Sequence, residues 1–174
     1  MSGRTPAEAV DAFLEQLRRT LACVTTAPLL SLGAPRGAAP GVAFLAPRER
    51  PARLQGPQRL LLRVRHDFST APDPNDPTRW AVATVGYAYS ILHPDQRELL
   101  AYHWHVAGNS PIAFPHLHVG ARAGATDLSN LHLPTGSIPL AAIVRLAIAE
   151  LGVDPLRQDW PSILNTALGN AAPD

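Results

Sequence analysis

Apolar residues recur at three- and four-residue intervals from Val10 through Phe13, Leu14 and Leu17 to Leu21, the period of a helix with one buried face. Just upstream, Thr5-Pro6-Ala7-Glu8 has the form of a capping box with proline at the first helical position, so a helix is predicted over about residues 6–22. From Gln58 to Asp67 the period changes to two. Leu60, Leu62, Val64 and His66 alternate with Arg59, Leu61, Arg63 and Arg65, which predicts a strand with an apolar and a basic face. Trp80–His93 is a longer β-like run through Val82, Val85, Tyr87, Tyr89 and Ile91; Pro94-Asp95-Gln96 turns the chain, and Arg97–Val106 returns it. A turn centred on Asp95-Gln96 sets Ala88 opposite His103 and Gly86 opposite His105, whereas a three-residue turn slips the register by one and brings Tyr87 and Val85 there instead.

Elsewhere the pattern is interrupted. Residues 25–57 carry six prolines and four glycines and read as a long irregular segment with a short strand at Gly41–Leu45. Ala71–Pro77 reads as a loop, with Asp73 and Asp76 as turn formers. After a small-residue connection at Gly120–Ser129, a helix capped by Ser137 carries the stripe Ile143, Val144, Ala147, Ile148 and Leu151 and ends at Gly152. A short helix, Ser162–Leu168, follows Trp160-Pro161. These elements predict an α+β fold as a single domain over residues 1–174: a mostly antiparallel sheet of four to five strands, with an N-terminal helix and two C-terminal helices on one face.

Composition narrows the setting. The chain is 46% apolar, yet no run approaches the roughly 18–20 apolar residues that span a bilayer, and Met1–Ala9 lacks the pattern of a secretory signal. One cysteine, Cys23, excludes an internal disulfide and reads as a buried small hydrophobe, which points to a cytoplasmic protein. Net charge is +1, so bulk charge selects no partner, and no nucleotide-cofactor motif is present. All 15 basic side chains are arginine; Arg48, Arg50, Arg53, Arg59, Arg63 and Arg65 are opposed only by Glu49, a run suited either to gripping phosphates or to a solvated strand face.

The chemistry concentrates in Tyr102-His-Trp-His105 and Pro115-His-Leu-His118, two His-x-His pairs joined by ten residues. Residues two apart on a strand share a face. A hairpin centred on Asn109-Ser110, read with His105 opposite His116 and His103 opposite His118, gathers four imidazoles in a square on the face turned away from Tyr87, Tyr89, Ile91, Tyr102 and Trp104. Such a cluster suits Zn²⁺, Fe²⁺, Mn²⁺ or Ni²⁺, with His132 as a fifth ligand or Asp127 completing a mixed site; three ligands and an open position permit metal-activated hydrolysis. A cupin-type site also begins with His-x-His but requires a glutamate where this chain has Val106-Ala-Gly-Asn-Ser110. The metal-free alternative is acid/base catalysis by a histidine pair, with Arg63 or Arg65 binding the substrate phosphate and Tyr102 or Tyr89 positioning it. His66 and His93 stand apart and read as structural.

The order Tyr87-Ala-Tyr89, Tyr102-His-Trp-His105, Pro115-His-Leu-His118 resembles, over about residues 80–120, the TumE-type toxins of prokaryotic toxin–antitoxin pairs. The resemblance implies a cytoplasmic protein with a cognate antitoxin partner and an RNA-directed activity carried by His103, His105, His116 and His118. The expected function is therefore that of a phosphodiester hydrolase or toxin-like ribonuclease. A non-catalytic metal-binding or protein-interaction module is the alternative.

Overall fold

The computed structural model describes residues 2–33, 41–47, 50–105, 111–120 and 132–169. Helix α1 (Pro6–Leu21) starts where its cap directs: the Thr5 side chain accepts from the Glu8 amide, and the Glu8 carboxylate accepts from the Arg4 amide. Its stripe of Val10, Phe13, Leu14, Leu17 and Leu21 is buried. The stripe packs on the sheet residues Leu60, Leu62, Val64, Phe68, Tyr87, Tyr89 and Ile91, together with Ile143, Val144, Ala147 and Leu164 from the C-terminal helices α2 (Leu140–Ala149) and α3 (Trp160–Gly169). Helix α2 begins two residues later than a Ser137 cap implies, because Pro139 occupies the cap position in extended backbone, with no side-chain capping bond.

The sheet has nine strands among the described residues, not the four to five expected from alternation. Strands β1 (Ser2–Gly3), β2 (Leu29–Leu32), β3 (Gly41–Leu45), β4 (Ala52–Arg53), β5 (Leu61–Asp73), β6 (Asp76–Leu92), β7 (Glu98–Trp104), β8 (His116–Val119) and β9 (Leu133–Pro134) make only antiparallel pairs. The main path runs β2-β3-β5-β6-β7-β8-β9, with β1 on β6 and β4 on β5. The four unexpected strands, β1, β2, β4 and β9, are two to four residues long and lie in the chain's Pro- and Gly-rich stretches. Segments that short hold no periodicity to read; pairing to a longer neighbour is what makes them strands. The expected Ala71–Pro77 loop is likewise the tip of the long β5–β6 hairpin, turning between Asp73 and Asp76.

Two irregularities set which residues face the core. Between Asp67/Phe68 on β5 the partner changes from Gly86 to Thr84, leaving Val85 as an extra residue. The bulge reverses the alternation of β6, so Thr84 and Val82 join Tyr87, Tyr89 and Ile91 on the helix side. The β6–β7 turn contains Gln96 at φ 65°, and a register shift between Ile91 and Leu92 compensates for it. Beyond that shift the pairs are Ala88↔His103 and Tyr87↔Trp104, the register of the first turn reading. The core row also encloses His66: its Nδ1 lies 2.6 Å from the Tyr89 hydroxyl and its Nε2 3.0 Å from Thr84 Oγ1, beneath the Phe13 ring. A neutral imidazole, donating through one nitrogen and accepting through the other, satisfies both contacts.

No described helix is long and apolar enough to cross a membrane. Burial of His66 lowers its pKa from the ordinary 6.5 to about 4. The unfolded chain therefore takes up this proton first as pH falls, and stability is lost between about 6.5 and about 4. Urea denaturation at pH 7 and pH 4 should show wild type losing up to about 3 kcal/mol more than His66→Gln over that interval. Parallel losses in the two proteins would show that another group carries the acid sensitivity.

Candidate metal centre

Strand β7 alternates between two environments. Tyr102 and Trp104 pack against the core, and His103 and His105 emerge on the sheet face without helices. Strand β8 lies beside it in the register His103↔His116 and Ala101↔His118. This differs by two residues from the expected pairing of His105 with His116 and His103 with His118. It is the register that a connection symmetric about Asn109-Ser110 demands, since the two ladders must be equally far from its centre. A slip of two conserves the face, so all four imidazoles still share it. Gly120 ends β8 at close quarters: a Cβ there would overlap the Glu98 carbonyl oxygen, while the Gly120 amide donates to Leu99.

His132 completes the group. Strand β9 pairs with β8 through His116↔Pro134 and Leu117↔Leu133, and the same register carried one residue further sets His132 across from His118. Ring centroids are 4.9 Å apart for His103–His118, 5.5 Å for His105–His116, 4.9 Å for His116–His118 and 4.6 Å for His118–His132. Two triads have ligand nitrogens all within 4.8 Å of one another: His103, His105 and His116, and His116, His118 and His132. His116 belongs to both.

His116 is wholly buried, with 0% of its surface exposed. Its Nδ1 lies 2.8 Å from the Phe114 carbonyl oxygen. A carbonyl only accepts, so Nδ1 is the donor and carries the proton. In the neutral form of the ring the lone pair then lies at Nε2, an atom that is buried and has no hydrogen-bond partner among the described residues. A buried polar atom left unpaired costs about 1–3 kcal/mol. A ring whose remote N–H is tied to a carbonyl while its other nitrogen looks inward has the arrangement by which metal-ligating histidines are oriented. Burial, followed by the charges of His118, His105, His116 and His132, lowers the His103 pKa to about 4; burial and its charged neighbours lower that of His105. Both rings are thus neutral, as ligands must be, at pH 7.

The other candidates separate. Arg63 and Arg65 stand on the histidine face, in register with Ser90–Ala101 and Ala88–His103 respectively. Tyr102 does not: it pairs with Tyr89 on the core side, with its pKa raised by burial, so the expected catalytic role beside the histidines is corrected by simple alternation. Tyr89 is likewise buried on the helix side, against His66. His93 sits in the β6–β7 turn 3.2 Å from the Asp95 carboxylate, away from the cluster. Asp127, Arg48 and the Asn109-Ser110 turn lie outside the described residues. A cavity of about 540 Å³ opens between α1, α2 and the sheet and is lined by Phe13, His66, Tyr89 and Trp104. Both His66 nitrogens are already engaged there, so this ring offers the cavity no free ligand atom. Sequence reasoning passed over the Phe114 carbonyl, since no backbone acceptor is visible in residue types. It also passed over Asp67, which Arg65 holds through Nε and Nη2 at 3.2 and 2.9 Å.

No protein-family model, curated protein or solved structure matches the chain. His116 is the one histidine common to both groups that could hold an ion. Zinc titration should show His116→Gln losing more affinity than the roughly 10–100-fold that removal of a supporting hydrogen bond costs. Tyr102→Phe should stay within about twofold of wild type; a comparable loss in both variants would contradict the facial assignment.

Proposed function

We propose that this protein is a histidine-ligated transition-metal protein whose ion activates water for hydrolysis. The observation that carries the reading is His116: its Nδ1 is held by the Phe114 carbonyl, its buried Nε2 has no partner among the described residues, and the residue is shared by two histidine triads. Imidazole suits Zn²⁺, Fe²⁺ and Ni²⁺, while Mn²⁺ favours oxygen ligands. Neither triad includes a carboxylate, so among the four metals considered manganese fits the donors least. Three histidines holding an ion leave a fourth position for water, whose pKa the ion lowers toward neutrality.

The finer reading is hydrolysis of a phosphodiester, as in a toxin-like ribonuclease with an antitoxin partner. It rests on the resemblance over about residues 80–120 and on the two arginines sharing the histidine face. A second reading, a non-catalytic metal-binding or interaction module, draws support from His118 and His132, which are two imidazoles more than an open three-ligand centre needs.

Elemental analysis of tag-free protein tests the common ground: close to one ion per chain in wild type, and none in His116→Gln. Chelation should lower the unfolding temperature, because an ion at 100 times its dissociation constant stabilises the folded state by about 2.7 kcal/mol. Wild type that takes up none of zinc, iron and nickel would overturn the metal reading. Metal-dependent cleavage of RNA or of an activated phosphodiester, abolished in the same variant, separates the enzyme from the module.

A further inference from the structure

The two triads consist of neutral donors, so a divalent ion held there keeps its full charge unless another group offsets it. The carboxylate best placed by register to do so is Asp67, which pairs with Gly86 on the histidine face. Asp67 is 6% exposed and its Oδ1 accepts from both Nε and Nη2 of Arg65. That contact serves two ends. It removes the carboxylate from the ion, and it fixes the guanidinium plane, with Nη1 not used by Asp67.

The floor between the arginine and the histidines is built from small residues. Across the strands the rows read Arg65, Ala88, His103, His116 and Arg63, Ser90, Ala101, His118. With Gly86 before them, Ala88 and Ser90 form a shallow trough along β6. Strands are about 4.8 Å apart, so the backbones of β5 and β7 flank it at roughly 10 Å. Arg63 is placed differently from Arg65, with its charge acting on Glu98, whose carboxyl is bonded to Ser90.

We infer that this trough binds the phosphoryl group of a substrate, one oxygen on the ion held by His103, His105 and His116 and a second on Arg65. The inference rests on the metal reading above and deepens it by assigning the substrate's charge and its second anchor. Two oxygens on one phosphorus match a cation and a guanidinium on opposite sides of a small-residue floor, and planar guanidinium groups recognise such oxyanions through paired N–H bonds. Thiocyanate, a linear monovalent ion that ligates metal through one end, carries no oxygen to offer Arg65.

The test uses the Co²⁺-loaded full chain, whose visible absorption reports ligands entering the coordination sphere. Inorganic phosphate and thiocyanate are titrated into wild type, into Arg65→Gln/Asp67→Asn, which leaves no buried carboxylate orphaned, and into Arg65→Lys, which keeps the charge without the fork. Phosphate should bind about tenfold or more weakly to the double variant, the loss expected for charge-assisted hydrogen bonds, and Arg65→Lys should fall between. Thiocyanate affinity and Co²⁺ stoichiometry should change less than about twofold. Unchanged phosphate affinity in the double variant, or a parallel loss for thiocyanate, overturns the Arg65 anchor while leaving the metal centre standing. Failure of wild type to take up Co²⁺ overturns both. Dimethyl phosphate then distinguishes the source: the same Arg65 dependence identifies a diester chain, and binding of inorganic phosphate alone identifies a terminal monoester.

Discussion

Strand β7 serves two surfaces at once, and its two-residue period is the constraint on which the fold and the site both depend. Tyr102 and Trp104 are drawn to the helix side by apolar burial against Tyr87 and the core. His103 and His105 must then emerge on the other face, whatever is there to meet them. Strand β8 answers with His116 and His118, and the segment at β9 with His132. A one-residue slip of β7 against β6 would send His103 and His105 into the core and Tyr102 and Trp104 into solvent. The register is therefore held by hydrophobic burial on one side of the sheet, and the arrangement of the histidines on the other side inherits that rigidity.

The two faces treat histidine in opposite ways. His66 lies under α1 with both nitrogens satisfied, by Tyr89 and Thr84, and burial keeps it neutral. His116 is equally buried but has only one nitrogen satisfied, by a backbone carbonyl. A closed hydrogen-bond network rigidifies a core, whereas an open lone pair in a cluster of lone pairs solicits a cation. The bulge at Val85 makes this division possible, since it turns Thr84 toward His66 while leaving Gly86 and Ala88 on the histidine face.

The candidate site was legible to different depths. The spacing of His103, His105, His116 and His118 was enough to place them on one face, because alternation is local and survives an error of two residues in register. The pairing itself depended on how a long connection closes, and the strand partners settled it at His103↔His116. Tyr102 adjoins the histidines in the chain and faces away from them in space, so proximity in sequence misled where alternation would have served. His132 could be named from the sequence as a fifth ligand, but its place beside His118 depends on a two-residue strand that exists through pairing.

Taken alone, the chain's pattern determined the α+β class, the first helix and its cap, the core-facing rows of β5, β6 and β7, and the face on which four histidines stand. Each of these follows from residues close in sequence, through helical or strand periodicity and a local capping bond. Tertiary structure decided the rest. The four short strands have too few residues to show a period and form only against longer neighbours. The tautomer of His116 was set by the Phe114 carbonyl, and the engagement of Asp67 by Arg65, through hydrogen bonds that require coordinates to see. Assembly of five imidazoles into two triads sharing His116 was likewise a matter of register between three strands, a quantity that no single segment contains.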